Sequence, residues 1–93
     1  MDLSSRVRLP ETLLTQKVDD ELVLLDTESE NYYGLDGVGA EIWQLLRKGE
    51  SLEEILTILL DRYEVEEARL RRDLLDFVSQ LQERRLIEIV PST

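Results

Sequence analysis

"SENYYGLDGVGAEIWQLL", residues 29–46, opens like a β-strand and closes like a helix with almost no loop between. Two adjacent tyrosines cannot both face one core in a strand, because neighbouring side chains point to opposite faces. Alternation therefore puts Tyr33 and Leu35 on the core face and leaves Tyr32 and Gly34 on the other. Asp36 stands where a helix N-cap belongs, and its carboxylate is expected to accept from backbone amides two or three residues on. Val38, Ile42, Leu45 and Leu46 then repeat at helical spacing, with Trp43 on the flank. The helix runs to about Lys48, where Gly49 supplies a left-handed stop that a residue with a Cβ resists.

Upstream, "TLLTQKV" (12–18) and "ELVLLD" (21–26) read as strands joined by a turn at Asp19 and Asp20, and "NYYGL" (31–35) follows as a third. Downstream, "SLEE" from Ser51 is a capping box with Glu54 as its third-position acid. Leu52, Ile55, Leu56, Leu59, Leu60 and Tyr63 then give an amphipathic helix. A third helix spans roughly 66–85, with a core stripe of Leu70, Leu74, Phe77, Val78 and Leu81. "LIEIV" (86–90) is a short strand-like tail stopped by Pro91. Strands and helices are segregated, which predicts an α+β domain over 1–93: a winged helix-turn-helix with a three-stranded antiparallel sheet followed by three helices.

The 93 residues hold no cysteine and no histidine, which excludes disulfides, thiolate or imidazole metal sites, Cys nucleophiles and His-based triads. No acidic loop has calcium-binding spacing, so neither a metal nor a cofactor is expected, and an enzyme is not. No segment approaches the roughly 20 apolar residues of a membrane span. "MDLSSRVRLPETLL" has no signal-peptide core, so a cytoplasmic location is expected.

A helix-turn-helix outline raises DNA binding. The third helix does carry Arg69, Arg71, Arg72, Arg84 and Arg85, but Glu66, Glu67, Asp73, Asp76 and Glu83 cancel them. The whole chain has 21 acids against 11 bases, a net charge of −10. The field has the wrong sign for phosphate or for an anionic membrane, and neutral or basic partners suit it better. Eight of the acids lie between Glu11 and Asp36, beside one base, Lys17.

If sheet order follows the chain, residues 31–35 form an edge whose backbone groups face outward, with no lysine or proline to blunt it. Three covers are open: the tail 86–90, a second copy joined edge to edge, or an extended peptide added as a strand. An added peptide needs a second wall, for which the third helix is the candidate. Leu75 sits a quarter-turn off its core stripe, beside Arg71, on a face that is otherwise polar.

"YYGLDGVGAEIWQLLRKGESLEEILTILLDRYEV", followed about ten residues later by "DLLDFVSQL", resembles the PqqD-like family, the recognition elements for leader peptides of ribosomally made, modified peptides. The resemblance rests on Tyr33, Leu35 and Asp36 at the strand end, Gly39 with Ile42 and Trp43, and Gly49 before "SLEEIL". Tyr63 and the Asp73, Phe77, Leu81 spacing also match, so that residues 12–90 are covered. It implies a non-catalytic protein in which a precursor's leader segment lies antiparallel to the third strand and packs against the third helix. Carried onto this chain, the backbone contacts fall on Asn31, Tyr32, Tyr33 and Gly34. The cleft wall falls on Leu74, Leu75 and Val78, with Arg71 and Asp73 as polar neighbours, and Leu75 is the favoured flank. The free-standing form is most similar to lasso-peptide members, which deliver the precursor to a leader peptidase, with an ATP-dependent cyclase acting afterwards. The alternative within the family is a chaperone that hands its precursor to a radical SAM enzyme.

Overall fold

The computed structural model describes residues 3–90. Its elements in chain order are β1 (Arg6–Arg8), β2 (Leu13–Val18), β3 (Glu21–Asp26), β4 (Tyr32–Leu35), α1 (Gly37–Arg47), α2 (Leu52–Arg62), α3 (Glu67–Glu83) and β5 (Glu88–Val90). The α+β architecture is the expected one, with a three-stranded antiparallel sheet in the order β2-β3-β4 and three helices after it. One feature departs from expectation. The short charged strand β1, "RVR", went unread, and it pairs antiparallel with β5 in a separate ladder, Arg6 opposite Val90 and Arg8 opposite Glu88. The tail therefore does not cover β4, and among the described residues β4 is an edge. The expected stop at Pro91 lies outside the described residues.

One face of the sheet packs on the helices. Leu22 and Leu24 of β3 are buried there, opposite Leu35 and Tyr33 of β4. Trp43 of α1 is fully buried, and its indole N–H donates to the Thr15 hydroxyl of β2 at 3.1 Å, so the largest core side chain has its polar atom satisfied. Leu46, Leu52, Ile55, Leu59, Leu74, Val78 and Leu86 complete the interior.

The caps divide into one that forms as expected and one that does not. Ser51 accepts from the Glu54 amide at 3.2 Å, while the Glu54 carboxylate accepts from the Ser51 amide at 3.0 Å. The next two orphan amides of α2 are met from the N-terminal segment: Leu52 N–H donates to the Ser5 carbonyl and Glu53 N–H to that of Leu3. Gly49, at φ +86°, ends α1 as expected. The Asp36 carboxylate, in contrast, makes no cap bond. Gly37 follows it in the left-handed region at φ +54°, which swings the carboxylate away from the amides of the first turn. The Asp36 carbonyl still accepts from Ala40 N–H.

Candidate functional site

Hydrogen bonding decides which groups β4 offers to solvent. In an antiparallel pair, opposite residues alternate between exchanging their backbone bonds and turning them away. Asp26 N–H donates to the Asn31 carbonyl at 2.9 Å, so Asn31 turns inward. The register Leu25↔Tyr32, Leu24↔Tyr33, Val23↔Gly34 and Leu22↔Leu35 then makes Tyr33 and Leu35 inward too. Tyr32 and Gly34 point both N–H and C=O out along the free edge. The Asn31 amide is also engaged, donating to the Ser29 hydroxyl at 3.3 Å. Of the four backbone positions expected from the sequence, two are thus available to a further strand.

Side chains follow the alternation. Tyr32 is 74% exposed, whereas Tyr33 packs against the core. The Arg84 guanidinium lies 5.8 Å from the centre of the Tyr33 ring, close enough for a cation–π contact. Two turns back along α3, a Cβ added to Gly39 would meet the Phe77 ring at 3.4 Å. So the C-terminal half of α3 reaches from Phe77, beside the first turn of α1, to Arg84, beside Tyr33.

Beyond that contact, an apolar cavity of about 420 Å³ opens where β4 leads into α1. Val38, Gly39 and Ile42 line it from α1, and Tyr63 and Val65 from the α2–α3 connection. Arg69, Leu70, Asp73, Leu74 and Phe77 line it from α3. Its outer wall is held in place by Glu41 of α1, which accepts from the Tyr63 hydroxyl at 2.6 Å and pairs with Arg62. At the mouth, Arg69 pairs with Asp73 at 3.8 Å. Val38, Tyr63 and Val65 are 40%, 39% and 47% exposed, an amount of open apolar surface that suits an apolar occupant.

The residues expected on α3 do not all come together. Asp73 and Leu74 reach the cavity. Arg71 lies outside it, exposed and paired with Glu67 at 3.5 Å, and Val78 is fully buried in the core. Leu75, the favoured flank, is half-buried against the core and does not line the cavity, so the open flank is that of Asp73. Residues that the sequence did not single out for the site include Val38, Tyr63, Val65, Arg69 and Phe77. Their common signal is the exposed apolar run Tyr63-x-Val65 between two helices, together with the Arg69, Asp73, Phe77 spacing of four.

The fold is that of a known family. Residues 21–87 match the family described as coenzyme PQQ synthesis protein D (PqqD), and the chain belongs to it. Among solved structures, the chain is similar to TbiB1 in complex with the TbiA(beta) leader peptide. The identity is 37%, 87% of this chain and 94% of that chain are covered, and the TM-score is 0.83. It is also similar to a lasso peptide synthetase B1 complexed with the leader peptide. There the identity is 31%, the cover 92% of this chain and 99% of that one, and the TM-score 0.81. No curated protein matches the chain. Among the described residues no helix is long and apolar enough to cross a membrane.

Proposed function

We propose that the chain binds the leader segment of a ribosomally made precursor peptide, as in lasso-peptide biosynthesis, and carries it without catalysing a reaction. The observation that supports this most directly is the uncovered edge of β4 next to an apolar cavity, in a chain similar over most of its length to two leader-peptide complexes. The leader would add as a strand antiparallel to β4, exchanging backbone bonds with Tyr32 and Gly34. Residues on its N-terminal side would then run past Leu35 toward α1 and set an apolar side chain against Phe77 and Val38. Residues on its C-terminal side would lie near Arg84. Delivery is to a leader peptidase, with an ATP-dependent cyclase acting later, in the cytoplasm.

Affinity has to exceed the entropy lost when a disordered leader is fixed, and a small interface with one or two anchors gives dissociation constants from about ten nanomolar to about one micromolar. A fluorescence-anisotropy titration tests the reading, using the labelled leader of the precursor encoded nearby, a scrambled leader and duplex DNA. Saturable binding of the true leader alone is expected. Equal binding of the scrambled leader, or none of either by folded protein, would refute sequence-selective carriage.

A further inference from the structure

Two groups of opposite charge flank the free edge of β4, one on each face of the sheet. On the outer face Gly34 has no side chain, and the Glu21 carboxylate of β3 leans across the gap: a Cβ built on Gly34 would meet Oε2 of Glu21 at 3.7 Å. Glu21 stands two residues from Val23, the partner of Gly34, so it is a diagonal neighbour on the same face. On the inner face the Arg84 guanidinium lies over the Tyr33 ring. An arginine stacked on an aromatic face keeps its N–H edge free to donate to a carboxylate. Glu21 and Arg84 are both exposed, and among the described residues neither has an ion-pair partner, unlike Arg6, Arg8, Arg62, Arg69 and Arg71.

A strand added antiparallel to β4 meets these two groups in a fixed order. Its residue opposite Gly34 turns outward, beside Glu21, and its next residue toward the C-terminus is opposite Tyr33 and turns inward, beside Arg84. Tyr33 exchanges its backbone bonds with Leu24, so across the free edge it forms a non-hydrogen-bonded pair, in which opposing side chains approach more closely.

We infer that the edge selects a leader segment in which a basic residue is followed directly by an acidic one, the base held by Glu21 and the acid by Arg84; the inference rests on the strand-addition reading. Backbone bonds alone are indifferent to sequence and allow the added strand to slip. With the charge pair in place, a slip of one residue in either direction sets like charges together, acid beside Glu21 or base beside Arg84. The reversed dipeptide meets both penalties at once. Glu21 and Arg84 thus fix the register that carries the segment's N-terminal side to the apolar cavity.

The test is a charge scan read by fluorescence anisotropy. The labelled leader of the precursor encoded nearby is synthesised with lysine, and separately with glutamate, at each position in turn, and titrated against the full chain as wild type, Glu21→Lys and Arg84→Glu. For the wild type, two adjacent positions are expected to prefer lysine and then glutamate over the opposite charge by about threefold to tenfold. Glu21→Lys should invert the preference at the first position only and Arg84→Glu at the second only, while Glu21→Gln and Arg84→Gln abolish it without inversion. A leader with the pair reversed should regain affinity for the double variant, and rising salt should flatten the wild-type scan. Leader binding with no such adjacent pair, or with a preference that all four variants leave unchanged, overturns the inference and leaves strand addition standing. No binding of any leader by folded protein overturns both.

Discussion

The Asp26 amide and the Asn31 carbonyl meet at 2.9 Å, and through the register of β3 with β4 that one bond sets which residues of the edge strand face outward. Proline scanning reads this parity directly, because proline removes one backbone donor and is tolerated where that donor faces solvent. Tyr32→Pro and Gly34→Pro are expected to stay folded by circular dichroism and to lose about tenfold or more in leader affinity. Tyr33→Pro deletes an inward donor to β3 and should lower stability by about 1–3 kcal/mol in urea unfolding. Equal effects at all three positions would contradict the parity.

The two flanks of α3 separate in the same assays. Val38→Glu and Phe77→Ala alter the cavity, and both should weaken leader binding, the first with little change in melting temperature since Val38 is 40% exposed. Leu75→Glu puts a carboxylate against the core and should lower stability by about 1–3 kcal/mol while leaving the affinity of the folded fraction near that of the wild type. A large affinity loss in Leu75→Glu without destabilisation would move the leader to the other flank.

Helix caps give a second paired comparison. Ser51→Ala breaks a two-way capping box and should cost about 1 kcal/mol. Asp36→Ala removes a carboxylate that caps nothing, and its effect should stay within about 0.5 kcal/mol. Chemical denaturation of the two variants side by side measures the difference.

A pH effect follows from Glu50. Its hydrogen bond and charge contact with Glu54 hold its carboxyl above the ordinary value of 4.5, while the Ser51 amide holds that of Glu54 below it. A carboxyl raised by folding is one whose ionised form the fold disfavours, so Glu50 begins to subtract stability as the pH rises through its ordinary value and does so in full above the raised one. Glu50→Gln should therefore melt higher than the wild type near pH 7 and show no gain near pH 3, about where Glu50 is neutral anyway. Thermal melts at the two pH values give the sign.

How much was legible in the sequence depended on whether a signal was local. The alternation that turns Tyr33 and Leu35 to the core, the turn at Asp19 and Asp20, the Ser51 box and the Gly49 stop are each written in a few neighbouring residues, and each appears in the fold. The strand β1 was not legible, because one valine between two arginines carries no pattern until β5 pairs with them from the other end of the chain. The placing of the cavity was hidden for a similar reason. Periodicity places Leu75 off the core stripe, but only tertiary packing decides which flank of α3 faces β4, and here Phe77 meets Gly39 while Leu75 turns back to the core. The Asp36 cap failed because a glycine's left-handed φ at the next position was not foreseeable from a capping residue alone.

The β1–β5 ladder sets Arg6 beside Val90, as neighbours about 5 Å apart across an antiparallel pair. The first and last strands of the described residues thus meet, and the segment from Leu3 to Ser5 continues beyond them onto the start of α2. A module with that geometry can be spliced into a surface loop of another protein without prising the host apart. Grafted as residues 3–90, so that Leu3 and Ser5 still meet the first amides of α2, it would arrive with the edge of β4 uncovered, and a peptide-binding edge could be added to an enzyme by insertion as readily as by association.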